Sequence, residues 1–186
     1  PPAMGKNIGI LTDAGGPGVM TVDECEALGL TVEHFSDETL KKFQELKDKG
    51  AILKIAATNN PVDLTGSVTD EMFEIAAELM FQDPKIHGII LLGLHHMPGL
   101  REKYIDGIVK ISQKYDKPLL MCDIGETEMA LYTRSRFDRL CVPSFESPED
   151  AARGMKALVR YGEYLKRNGC SEEYIAAFRK GCSPKK

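Results

Sequence analysis

The sequence predicts a three-layer α/β domain with a five-stranded parallel sheet in the order 2-1-3-4-5 and helices on both faces. Two observations carry this. Short apolar runs alternate along the chain with segments of helical periodicity, the pattern of parallel strands joined by right-handed crossovers. One run, Gly88 to Leu94, is almost continuously apolar, as a central strand covered on both faces requires.

The elements follow in order. Ile8 to Leu11 reads as a short buried strand. Val19, Val22, Cys25 and Leu28 recur at helical spacing, and Gly29 ends that helix. Thr31 to Phe35 reads as the second strand. Ser36 caps the next helix, with Asp37 and Glu38 in its first turn and Leu40, Phe43 and Leu46 as its inner stripe. Thr69 caps a third, whose inner face is Met72, Ile75, Ala76, Leu79 and Met80. Ile105, Ile108, Ile111 and Tyr115 mark a fourth. Pro118 to Cys122 and Cys141 to Phe145 read as the last two strands. Ser147, Pro148, Glu149 and Asp150 start a long helix with Ala151, Met155, Leu158, Val159, Gly162 and Leu165 on one face. The domain is expected to span 1–168, with a short helix and tail over 169–186.

Composition agrees with one folded domain. A chain of 186 residues can bury about 70% of its extended surface. Hydrophobic residues at 42% and charged residues at 28% are ordinary for a globular protein. The net charge of -4 argues against nucleic acid and anionic membrane surfaces as partners. No apolar run approaches the length of a membrane span, and no signal peptide is visible, so a cytoplasmic location is expected. Cys25, Cys122, Cys141, Cys170 and Cys182 are odd in number without CxxC spacing, which points to reduced, mostly buried thiols rather than disulfides or a metal centre.

The chemistry-bearing stretch is Thr12-Asp13-Ala14-Gly15-Gly16-Pro17-Gly18-Val19, where a strand turns into a helix. Such a turn aims free backbone N–H groups and the positive helix end at one point, which suits a phosphate or carboxylate. Gly15 and Gly16 carry no Cβ and allow close approach. Pro17 donates nothing and fits the first helical position. The stretch matches neither the GxGxxG nor the Gly-Lys-Ser/Thr pattern. By its chemistry alone it is either an anion site or a turn that only lets the helix pack on the sheet. Likewise Asn60-Pro61-Val62-Asp63 is either a structural bend or a loop walling that site.

Taken together, Thr12 to Val19, Asn60-Pro61-Val62-Asp63-Leu64-Thr65-Gly66 and Ser147-Pro148-Glu149-Asp150-Ala151-Ala152 resemble ordered motifs of the NDP-forming acyl-CoA synthetases. These are the ADP-forming acetate–CoA ligases, related to succinyl-CoA synthetase. The resemblance covers the chain from about Lys6 to about Leu165 and is to one part of such enzymes, a flavodoxin-like ligase domain. It implies reversible conversion of acyl-CoA, ADP and phosphate to acid, ATP and CoA. It also implies partners: a CoA-binding and phosphohistidine unit, and an ATP-grasp unit. No Ser-His-Thr-Gly segment for a phosphohistidine is present in this sequence. The chain is therefore expected to bind no cofactor alone, with CoA, ADP or ATP and Mg2+ held by the complete, oligomeric enzyme.

On this resemblance Asp13, Ala14, Gly15, Gly16, Gly18, Asn60 and Asp63 are the expected phosphate or substrate contacts. The family often has asparagine where Asp13 stands, and a carboxylate there repels phosphate unless it is paired. No side chain reads as nucleophile, general base or metal ligand. His95 and His96 lie on a loop at the ligand edge, where adjacent histidines can bind metal or carry phosphate; as neighbours on an extended segment they point oppositely, so one metal rarely takes both, and the preferred reading is hydrogen-bonded or exposed loop residues. Arg134, Arg136 and Arg139 read as a solvated helix face. The other open reading is a binding module that builds an interface or regulates a ligase. A flavodoxin proper is disfavoured by the lack of Trp and of hydroxyls in the glycine turn.

Overall fold

The structure is a computed structural model that describes residues 1–95 and 97–181. His96 and Cys182, singled out in the sequence, lie outside the described residues. The elements are β1 (Ile8–Thr12), α1 (Gly15–Ala27), α2 (Asp37–Asp48), β2 (Ala57–Thr58), β3 (Val62–Asp63) and α3 (Asp70–Gln82), followed by β4 (Gly88–Leu92), α4 (Lys103–Ser112), β5 (Leu119–Cys122), α5 (Glu128–Arg139), β6 (Ser144–Phe145), α6 (Pro148–Arg167) and α7 (Ser171–Gly181).

The class is α/β, as expected, but the sheet has six strands in the order β2-β3-β1-β4-β5-β6 rather than five. β3, β1, β4, β5 and β6 pair in parallel, and β2 closes the edge antiparallel to β3. The correction lies at the second strand. Thr31 to Phe35 makes only one isolated bridge, Asn7 with Thr31. The place beside β1 goes to Val62 and Asp63.

The physical reason is a side chain. The Asn60 amide donates to Ile8 O at 3.0 Å and to Glu33 O at 2.9 Å, and its Oδ1 accepts from Ile10 N at 3.0 Å. That amide does the work of a ladder between β1 and the segment after α1, so the segment needs no strand of its own.

Alternation along the central strands divides the core. Ile8, Ile10, Ile90, Leu92, Leu120 and Cys122 face one layer, with Cys25 of α1 and Met155 and Val159 of α6. Leu11, Ile89, Leu91, Leu119 and Met121 face the other, with Phe43, Phe73, Ile108 and Phe137 from α2 to α5. Hydroxyl caps start four helices: Ser36 on α2, Thr69 on α3, Thr127 on α5 and Ser147 on α6.

Several expectations shift by a residue or two. α1 begins at Gly15, so Pro17 is its third residue and not its first. Its buried stripe is Gly18, Thr21 and Cys25, while Val19 points out at 58% exposure. On α3, Phe73 takes the inner face and Ile75 is exposed. The last strand is only Ser144 and Phe145, because Cys141 turns with φ 63°. Among the described cysteines, Cys25 and Cys122 are buried, Cys170 is half-buried and Cys141 exposed. No helix among the described residues is long and apolar enough to cross a membrane.

Candidate functional site

The carboxyl ends of β1, β3, β4 and β5 lie on one edge, where sheets of this kind bind ligands. β1 feeds the glycine turn. Gly15 and Gly16 open α1, whose N-cap Ala14 offers no side-chain hydrogen bond and whose first turn has no acidic residue. Pro17 has no N–H, and Gly18 N is turned inward to Ala14 O at 3.3 Å. The Gly15 and Gly16 amides are thus the outward donors of this helix end. A Cβ on Gly16 would meet nothing within 4 Å. A Cβ on Gly18 would press on Thr12 at 3.1 Å, so Gly18 serves the seating of α1 on the sheet.

The remaining sequence-predicted contacts divide between the turn and the interior. Asp63 stands beside the turn: its Oδ2 lies 3.1 Å from where a Gly15 Cβ would be, and its Oδ1 accepts from Thr65 N at 2.8 Å. Ala14 N is held by Thr12 Oγ1 at 3.0 Å. The Asn60 side chain is committed to the backbone staple described above. Asp13 is buried, and its Oδ2 accepts from Leu94 N at 2.8 Å. Burial pushes its pKa up to about 7, against the Leu94 hydrogen bond and with help from the charges of Asp123 and Asp63. The structure therefore brings Gly15, Gly16 and Asp63 together and turns Asp13 and Asn60 inward.

A second cluster on this edge was not read from sequence. His95, in the loop after β4, has Nδ1 2.8 Å from Asp123 Oδ1 at the end of β5. Its Nε2 lies 2.8 Å from Thr127 Oγ1, the N-cap of α5. Asp123 is fully buried; burial raises its pKa, and the His95 hydrogen bond opposes that rise. Three oxygens in this region, Asp13 Oδ1, Asp123 Oδ2 and Tyr104 Oη, are buried without a hydrogen-bond partner among the described residues.

Arg134 corrects the reading of a solvated face. It is 9% exposed and donates to Asp123 O at 2.7 Å and Gly125 O at 2.6 Å, bracing the loop that carries Asp123. Arg136 stays at the surface, paired with Asp106 at 2.8 Å. No group of three His, Cys, Asp or Glu side chains that could hold a metal occurs among the described residues.

Comparison with known proteins completes the picture. The family model described as Ligase-CoA domain matches residues 8–149. The chain is 30% identical over 166 residues to the ADP-forming acetate–CoA ligase II subunit alpha of Pyrococcus furiosus, covering 84% of this chain and 34% of that protein. It is 25% identical over 157 residues to the ADP-forming 4-hydroxybutyrate–CoA ligase of Nitrosopumilus maritimus, covering 84% of this chain and 22% of that one.

Among solved structures, that of PH0766 from Pyrococcus horikoshii OT3 superposes with a TM-score of 0.77 at 29% identity, over 86% of this chain and 36% of that one. The dinucleotide-forming acetyl-coenzyme A synthetase 1 of Ca. Korarchaeum cryptofilum, in complex with phosphate and ADP, superposes at 0.76 with 19% identity, over 93% and 36%, and shares the fold. The chain spans about a third or less of the length of these relatives.

Proposed function

This chain belongs to the Ligase-CoA domain family, and from that premise we propose that it is the ligase-domain part of an NDP-forming acyl-CoA ligase. The reaction is the reversible conversion of acyl-CoA, ADP and phosphate to acid, ATP and CoA. The observation that carries the reading is the start of α1: four helices of this fold are closed by a hydroxyl and two, α1 and α4, have no side-chain cap, and of those two it is α1 that begins with the glycine pair directly after β1.

In this reading the Gly15 and Gly16 amides meet the phosphoryl group or the acid carboxylate, and the helix end adds its positive field. The effect on rate is positional and electrostatic, the form that phosphoryl transfer calls for. Ala14 and Gly18 shape the turn, Asp63 limits approach from the β3 side, and Asp13 and Asn60 act from beneath it. A phosphohistidine, CoA, the adenine nucleotide and Mg2+ belong to a CoA-binding unit and an ATP-grasp unit that complete the enzyme. The isolated chain then makes no ATP from acyl-CoA, ADP and phosphate.

A second reading rests on Asp63. Its carboxylate beside Gly15 can itself serve the end of α1, which would leave the domain as an interface or regulatory module. One experiment separates the two. In the assembled enzyme, Gly16→Val should lower phosphoryl transfer by about 10² to 10³-fold while melting and assembly stay normal. Full activity with normal assembly would leave the turn a structural one.

A further inference from the structure

We propose that Asp123, His95 and Thr127 form a nucleophilic relay that takes an acyl group from an activated acyl carbonyl onto Thr127 Oγ1 and passes it to water. The three residues come from different elements: the end of β5, the loop after β4, and the start of α5. The fold sets them in series, with 2.8 Å from Asp123 Oδ1 to His95 Nδ1 and 2.8 Å from His95 Nε2 to Thr127 Oγ1.

The chemistry of the donors fixes the direction. An ionised carboxylate only accepts, so Asp123 Oδ1 accepts a hydrogen bond from the Nδ1–H of His95. With the hydrogen on Nδ1, Nε2 presents a lone pair, and the Thr127 hydroxyl donates to it. This is the order of carboxylate, imidazole and hydroxyl that raises a weak hydroxyl nucleophile to useful reactivity on unrelated folds. Each member is held. Arg134 braces the Asp123 and Gly125 carbonyls at 2.7 and 2.6 Å. Ala130 N donates to Thr127 Oγ1 at 3.2 Å and fixes its position. His95 is nearly enclosed, its side chain 10% exposed, while Thr127 is open to solvent. A reactant thus reaches the hydroxyl and not the carboxylate.

The step balances. Thr127 Oγ1 attacks the acyl carbon and its proton passes to His95 Nε2. The first-turn amides of Glu128 and Met129 have no carbonyl within the helix to bond and are the donors this helix start offers to the developing oxyanion. The bond from acyl carbon to the leaving thiolate or phosphate breaks, and that group takes the proton from Nε2. Water then attacks the Thr127 ester, gives its proton to Nε2, and the acid leaves as Thr127 regains its hydrogen. Thioesters and acyl phosphates share the carbonyl chemistry required. Asp123 is a positioning residue throughout.

The competing account is that Thr127 only caps α5 and His95 only fills the loop. The full chain incubated with p-nitrophenyl acetate distinguishes them. Nitrophenol release should accompany one acetyl group on the peptide containing Thr127, found by mass spectrometry after acid quench. Thr127→Asn keeps a capping oxygen and removes the nucleophile, so the fold should hold and that acetyl group should vanish. Thr127→Ser should restore it. His95→Gln should slow release by about 10² to 10⁴-fold. Asp123→Asn should slow release and Asp123→Glu, which returns a carboxylate acceptor to the ring, should recover part of it, whereas a packing role would leave release unchanged in both.

An unmodified Thr127 peptide in the native chain overturns the proposal. So does acetylation confined to lysines or to exposed Cys141, or release unchanged in Thr127→Asn. None of these variants touches Gly15 or Gly16, so failure here leaves the reading of the glycine turn where it stood.

Discussion

The Asp13 carboxylate accepts the Leu94 N–H at 2.8 Å, latching the end of the first strand to the loop that carries His95. The contact sits in a nearly dry place, with Asp13 1% exposed. Removal from water dominates its titration and lifts its pKa from 3.8 to about 7. A carboxyl raised in the folded state holds its proton where the unfolded chain has lost it. Its stabilising contribution is therefore complete below about pH 4 and is lost as pH rises through about 7.

Asp13→Asn should accordingly stabilise the chain at pH 8, by about 1 to 3 kcal/mol. The amide oxygen can still accept from Leu94 N, and no charge is left in the interior. Urea unfolding at pH 8 and at pH 4 measures it, with the gain shrinking toward the lower pH. An equal gain at both values would mean that ionisation of Asp13 is not the cause.

Asn60→Ala should cost about 3 kcal/mol, because Ile10 N, Ile8 O and Glu33 O each lose their partner in a buried setting. Denaturant unfolding gives the figure. A loss below about 1 kcal/mol would show that backbone or water replaces the amide.

Arg134→Lys should loosen the segment from Asp123 to Glu126. One nitrogen, Nη1, donates to both the Asp123 and Gly125 carbonyls, and a lysine ammonium ends about one bond short of it and has no second nitrogen for Glu126. Amide exchange at Ile124 to Glu126 should quicken by about tenfold or more while the amides of β4 keep their protection, a local opening rather than a global one. Uniform exchange across the domain would contradict this.

Two glycines of α1 and α6 should answer alanine in opposite ways. Gly16 has open space around a new Cβ, and alanine favours helix, so Gly16→Ala should be neutral or stabilising by up to about 1 kcal/mol. At Gly162 a Cβ would collide with the backbone oxygen of Ala3. Gly162→Ala should lower the melting temperature and release the amino-terminal segment, whose Ala3 N donates to Leu158 O at 3.3 Å. Thermal melts of both variants side by side test the contrast.

What could be read ahead of the structure was what is local. Ser36, Thr69 and Ser147 announce their helices because a hydroxyl, followed by acids, closes free amides within three residues. The central strands Gly88–Leu92 and Leu119–Cys122 declare themselves by apolar runs. The edge at Val62 does not, since a strand of two residues leaves no period to detect. Thr31 to Phe35 has the composition of a strand and loses its ladder to a side chain about thirty residues further on. Arg134 sits on a helix rich in charge, where only the fold shows that it turns inward to loop carbonyls. The His95, Asp123 and Thr127 cluster joins residues 28 and 32 positions apart, and no motif of adjacent letters encodes it.

The two ends of the sheet, β2 and β6, are only two residues long. A neighbouring molecule looking for a row of unpaired amides would find room for a bond or two and no more. Growth by strand addition is thereby denied a template at both borders, although the middle of the sheet is rich in isoleucine and leucine. A domain built this way can sit at high concentration, or beside other domains of a larger enzyme, without its sheet fusing to theirs. Contacts with such neighbours then fall to helices and loops, where they can be made and broken as an assembly works.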